Sequence, residues 1–214
     1  MMAVIIASML AHEAPRDQLP NLVQQVHTHP QSAAALFDLA EMYWRSGQSE
    51  RAIELLKESP LPLPAGWNWL HGVLAESKAD FVSAEGAFRR ELEMSNPRAD
   101  AFQGLARVLE SQGRLSEAGD AYFRAACAFP NPNDYLKAAQ LARHTGKPEL
   151  AEERLQHGLQ SLGPAVALRF ERVEALAAMG KRHAALQELD ALLELAPRYV
   201  KWVQKRIEIQ EKSR

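Results

Sequence analysis

The chain has 214 residues, 47% of them hydrophobic and 24% charged, with a formal net charge of -2. That balance excludes a mostly disordered chain, and it lacks the broad basic field of a nucleic-acid binder, so no nucleic-acid partner is expected. One cysteine, Cys127, excludes an intrachain disulfide, and no apolar run approaches the roughly 20 residues of a membrane-spanning helix, so there is no strong membrane signal.

The first segment, MMAVIIASMLA at residues 1–11, is apolar but short. It has no basic region before it and no small-x-small cleavage site after it. Two readings stand. Either it is a helix docked on its neighbour in a cytoplasmic protein, or it is the remnant of an export or anchor segment in a periplasmic or membrane-anchored one. QLPNLVQQVHTHP follows, with Leu19, Leu22, Val23 and Val26 at helical spacing and Pro30 as a stop. Residues 1–32 therefore predict N-terminal flanking helices, the second resembling half of a worn repeat.

From residue 33 a period appears. Turn positions Gly47, Ala79, Gly113, Gly146 and Gly180 are separated by 32, 34, 33 and 34 residues. Five residues after each stands an alanine: Ala52, Ala84, Ala118, Ala151, Ala185. Four further on comes a large residue: Leu56, Phe88, Tyr122, Leu155, Leu189. Seven before each turn lies Ala40, Gly72, Ala106, Ala139 or Val173, and a breaker closes each unit: Pro64, Asn96-Pro97, Pro130, Gly163, Pro197. Each unit thus reads as two amphipathic helices about a tight turn. Glycine ends the first helix in the left-handed conformation, the small residues allow close approach, and the large residue fills the gap between units. Proline at a first helical turn is expected after Asn96, Asn131, Lys147 and Gly163. YVKWVQKRIEIQEKSR closes the chain as a capping helix. Its Val200, Val203 and Ile207 are expected to face the array, with Lys201, Lys205, Glu208 and Lys212 toward water.

Small at the eighth position, glycine at the fifteenth, alanine at the twentieth, aromatic at the twenty-fourth and proline at the thirty-second resembles the tetratricopeptide repeat. Residues 99–132 match best, through Ala106, Gly113, Ala118, Tyr122, Ala125 and Pro130. The resemblance implies an all-α, right-handed α-solenoid of five repeats at 33–64, 65–98, 99–132, 133–165 and 166–199, with a capping helix at 200–214. The usual fourth-position tryptophan is replaced by Leu36, Asn68, Phe102, Tyr135 and Arg169, and Ala79 replaces one turn glycine.

No phosphate-binding glycine loop, zinc-protease motif, paired cysteines or nucleophile motif occurs, so no enzyme activity, cofactor or metal is expected. His27 and His29 read as surface side chains, and Cys127 as a small packing residue. The resemblance further implies a concave groove lined by the first helices. Phe37, Trp69, Leu136 and Phe170 would form an apolar row, with Arg107, Arg143 and His144 as a basic spot and Glu41, Arg45, Val73, Gln103 and Gln140 beside them. Phe37 and Glu41 stand where chaperone-binding relatives carry lysine and asparagine, so chaperone tails are not the expected ligands. Trp44 and Trp67 are expected to pack between helices. The function so implied is a non-catalytic scaffold or adaptor that takes a peptide or protein segment in the groove. The alternatives are a self-assembling structural protein, a homodimer for example, and a bacterial envelope assembly factor.

Overall fold

The computed structural model describes residues 19–29, 32–57, 63–64 and 66–211. Among the described residues there are twelve α-helices and no strands, an all-α repeat solenoid of five helix-turn-helix units with a flanking and a capping helix. The helices fall into two compact units, one ending at Ala101 and the other beginning at Phe102.

The first unit holds α1 (Leu19–Thr28), α2 (Ala33–Arg45), α3 (Ser49–Lys57), α4 (Trp67–Ser77), α5 (Phe81–Leu92) and the first residues of α6 (Asp100–Ser111). α1 packs on α2, α2 on α3, and α4 on both α5 and the preceding pair. Ser32 caps α2 by accepting from Ala35 N at 3.3 Å, and Asp80 caps α5 by accepting from Ser83 N at 3.1 Å. Gly72 is small for a direct reason: a Cβ there would lie 2.8 Å from the Phe88 ring, which is wholly buried.

Glu91 does what no sequence signal announced. Its carboxylate is buried, and it accepts from Gly66 N at 3.0 Å, Trp69 N at 3.3 Å and Arg98 N at 3.1 Å. Gly66, at φ 89°, caps α4 with no side chain of its own. Glu91 therefore supplies from α5 the acceptor that an N-cap side chain would otherwise offer, and it ties the entry of α4 to the exit of α5.

The second unit continues α6 and adds α7 (Leu115–Ala128), α8 (Pro132–His144), α9 (Pro148–Leu162), α10 (Val166–Ala178), α11 (Arg182–Leu195) and α12 (Val200–Glu211). Each helix from α7 to α12 packs on the next, and α8 also packs on α10. The turns close as the spacing predicts. Gly113 at φ 76°, Gly146 at 75° and Gly180 at 73° lie in the left-handed region. Arg114 N bonds Leu109 O at 2.9 Å and Lys147 N bonds Ala142 O at 2.9 Å, the long back-bond of a Schellman ending. Ala79 makes the same turn at φ 58° despite its Cβ, with Asp80 N on Ala75 O at 3.0 Å.

Ala106 and Ala118 are fully buried, and Tyr122 is buried with its hydroxyl donating to Glu110 at 3.2 Å. Tyr135, Leu155 and Leu168 centre one core cluster, and Val173, Leu189 and Leu192 another. The fourth-position departures find partners suited to their chemistry. Arg169 Nε donates to Glu188 at 2.6 Å, and buried Asn68 donates to Met94 Sδ at 3.5 Å. Pro132 and Pro148 begin helices as expected. Pro97 and Pro164 instead precede Asp100 and Val166, outside the helices they were expected to start.

Two expectations are corrected. Cys127 is exposed on α7 and packs no core; the burial it does have pushes its thiol pKa up. The cap is docked through a different face from the one expected. Trp202 and Ile209 are buried in the last core cluster, while Val200, Val203 and Ile207 are exposed. A tryptophan at 202 covers more apolar surface than either valine, and it carries 205, 206 and 209 inward at helical spacing. Lys205 consequently reaches Glu174 at 2.8 Å and Glu208 at 3.1 Å. Burial works against its charge, but the hydrogen bonds to the two glutamates outweigh this and raise its pKa.

No helix among the described residues is long and apolar enough to cross a membrane. Residues 1–11 and Lys212 lie outside the described residues.

Candidate protein-binding surface

The expected binding residues sit on the first helices of the repeats: α2 and α4 in the first unit, α6, α8 and α10 in the second. In the first unit Phe37 and Trp69 are core residues. Phe37 packs on Trp67 with centroids 6.5 Å apart, and the Trp69 ring meets Trp44 edge-on at 5.3 Å. The Arg98 guanidinium lies 3.9 Å from the Trp69 centroid. Glu41 accepts from Arg45 at 3.0 Å and from Arg98 at 3.2 Å, while Arg98 also holds Asp100. Trp67 and Trp44 thus pack between helices as expected. Of this unit's set, Arg45 is exposed, and Glu41 and Val73 are half-buried.

In the second unit a row of polar ties joins successive first helices. Gln103 donates to Asp134 at 2.6 Å, and Gln140 donates to Glu171 at 3.3 Å. The Lys205 bond to Glu174 carries the row onto the cap. Each tie spans 31 residues, one repeat less about one helical turn. The two acceptors are the residues that sequence reasoning missed. Asp134 is buried and also accepts from Asn131, which caps α8 through Asp134 N at 3.0 Å. Glu171 is buried and also takes Arg143 Nε at 2.9 Å. Asp134 lies in the first turn of α8, where the helix dipole favours an acid without any tertiary role, and Glu171 lies past the first turn of α10, where a lone acid carries no sequence signal of burial.

Arg143 is thereby oriented. Its Nε is committed to a buried carboxylate and its side chain remains 31% exposed. Its two terminal nitrogens make no hydrogen bond to any described residue. His144 beside it is exposed, and Gln103, Arg107 and Gln140 are half-buried. Arg107 acts on Tyr122, whose pKa is raised by burial and by Glu110 and drawn back by the arginine. Leu136 and Phe170 are half-buried: Leu136 borders the Tyr135 cluster and Phe170 lies 6.3 Å from Trp202. Among the described residues, no cluster of three or more His, Cys, Asp or Glu side chains is placed to hold a metal.

A stack of helix-turn-helix units, with left-handed turn residues and first helices tied in a row, defines a helical repeat protein of the interaction-scaffold class. The tetratricopeptide repeat family model matches residues 20–65 and 70–134, and the chain belongs to that family. No curated protein sequence matches the chain. Among solved structures it is similar to the C-terminal part of a tetratricopeptide repeat protein from Cytophaga hutchinsonii, with a TM-score of 0.70 at 14% identity over 92% of this chain and 80% of that one. It is also similar to YrrB, described as a tetratricopeptide protein with an unusual peptide-binding site, with a TM-score of 0.65 at 16% identity over 86% and 96% of the two chains. MamA gives a TM-score of 0.60 at 14% identity over 78% and 92%. At these identities the likeness establishes the fold. Proteins of this family are in general non-catalytic scaffolds for protein contacts.

Proposed function

We propose that this protein is a non-catalytic adaptor that binds an extended segment of a protein partner on the first-helix face of its second unit. The observation that carries the reading is Arg143, held through Nε by buried Glu171 with its terminal nitrogens unbonded to described residues. A guanidinium so fixed offers a forked pair of donors at little entropic cost, and that fork suits a carboxylate. Because Glu171 already balances its charge, recognition rests on directional hydrogen bonds more than on long-range attraction. Gln140, His144, Gln103 and Arg107 supply further donors and acceptors, with Leu136 and Phe170 as apolar neighbours. The solved structure of YrrB, with its peptide-binding site, supports a peptide ligand by analogy of fold. Phe37 and Trp69 act in this reading as supports of their own unit.

The test is an array of peptides with and without Asp, Glu or free C-terminal carboxylates, probed with wild type, Arg143→Lys, Arg143→Gln and Arg107→Glu. Circular dichroism checks that each variant is folded. The reading predicts selection of carboxylate-bearing peptides, weakened about tenfold or more by Arg143→Gln and less by Arg143→Lys. Equal binding by all four proteins, or no preference for a carboxylate, would sink it.

A further inference from the structure

We infer that Gln103 and Gln140 read the main chain of the bound segment, each through the carbonyl oxygen of an amide whose nitrogen is locked on a buried acid. The inference rests on the adaptor reading above and deepens it. Gln103 Nε2 donates to Asp134 at 2.6 Å, and Gln140 Nε2 donates to Glu171 at 3.3 Å. Both acids are buried. An ionised carboxylate only accepts, so each amide must turn its nitrogen toward the acid and its oxygen away. Neither oxygen is bonded to another described residue. Neither is shut off from solvent, since among the described residues Arg154 Nε is the one buried side-chain polar atom without a partner. Both glutamines therefore present an oriented, open acceptor.

The need for such acceptors follows from the surface they stand on. An extended segment carries an N–H on every residue but proline, and each one taken out of water requires an acceptor. A segment added to a sheet edge finds main-chain carbonyls there. A segment laid across helices does not, because carbonyls inside a helix already accept from the N–H four residues on. Side chains must supply the acceptors instead. The two buried acids are occupied, Asp134 by Gln103 and Asn131 and Glu171 by Gln140 and Arg143. Arg143 itself only donates. The two amide oxygens are open, uncharged and held in place.

They stand on α6 and α8, the first helices of successive repeats, and so offer two points along a segment that crosses the stack. Helix axes roughly 10 Å apart are spanned by about three extended residues. Gln140 lies one helical turn before Arg143, and Glu171 holds both. Arg143 then selects a carboxylate, while the two glutamines hold the main chain whatever side chains it carries at those points. Fixing the amides in advance removes part of the rotamer entropy that a free glutamine would lose on binding.

The probe is the tightest carboxylate-bearing peptide from the array above, with a set of versions in which one backbone amide at a time is replaced by an ester. Each ester removes an N–H and keeps every side chain. Full-length wild type is expected to lose about three- to tenfold in affinity at two separated positions and little elsewhere. Gln103→Met and Gln140→Met keep the length of the side chain without the amide, and each is expected to cancel the loss at one of those positions. Both variants are expected to keep the preference for a carboxylate and the helical circular dichroism. Carboxylate-dependent binding with a flat ester scan on wild type, a result that needs no variant, overturns this inference alone. So do ester losses that persist undiminished in either methionine variant. If no peptide is selected by its carboxylate, the adaptor reading fails and this inference with it.

Discussion

Ala79 and Glu91 show what single residues contribute to this fold. Ala79 occupies a left-handed turn position at φ 58°, where the equivalent residues in the four other repeats are glycine at φ 73° to 77°. A Cβ in that conformation costs roughly 1–2 kcal/mol, partly offset because glycine is freer in the unfolded chain. Ala79→Gly is therefore expected to stabilise the first unit by up to about 1 kcal/mol, seen as a higher urea midpoint at unchanged slope. Glu91 works in the opposite sense. Three backbone N–H groups depend on its buried carboxylate. Glu91→Ala would leave them without an acceptor in a dry site and is expected to cost roughly 2–4 kcal/mol. Glu91→Gln, which keeps one acceptor oxygen, should lose less. If chemical denaturation ranks the two equally, the carboxylate is not the cap described here. Ala79 was legible in the sequence because the period marks its place. Glu91 was not, since a glutamate near the end of an amphipathic helix looks like any solvated acid.

At the scale of the element, α12 separates pattern from packing. It carries two candidate apolar faces, Val200-Val203-Ile207 and Trp202-Ile209, and periodicity alone cannot rank them. The structure docks the tryptophan face. Trp202→Ala is accordingly expected to cost about 3–5 kcal/mol, and Val203→Ala to stay within about 0.5 kcal/mol. Thermal melts of the two variants check this directly; a larger loss from Val203→Ala would mean that the cap turns its other side to the core. The first helices carry the same lesson. Their apolar faces were readable from spacing, yet the ties of Gln103 to Asp134 and Gln140 to Glu171 join helices a repeat apart. No local pattern specifies which amide meets which acid across that separation.

For the molecule as a whole, repeats stabilise one another through neighbours, so local stability follows how completely each helix is covered. In the second unit α8 and α9 contribute Tyr135, Ala138, Ala139, Ala151 and Leu155, all fully buried. In the first unit α1 has no buried residue. Hydrogen exchange is expected to show the strongest amide protection in α8 and α9 and the weakest in α1. Uniform protection from α1 to α12 would contradict a stack held by nearest neighbours. By itself the sequence determined the fold class, the position of the turns and the periodic core positions around them, such as Ala106, Ala118 and Tyr122. Those properties follow from spacing, from the few residues that tolerate a left-handed turn, and from the small side chains that close packing demands. Tertiary structure alone decided which face of the cap is buried, that Phe37 and Trp69 lie in the core, and that Arg143 is fixed by Glu171. Each of these depends on groups far apart in the chain competing for the same buried space, and the outcome is set by volume and charge pairing across helices, which no periodic pattern encodes.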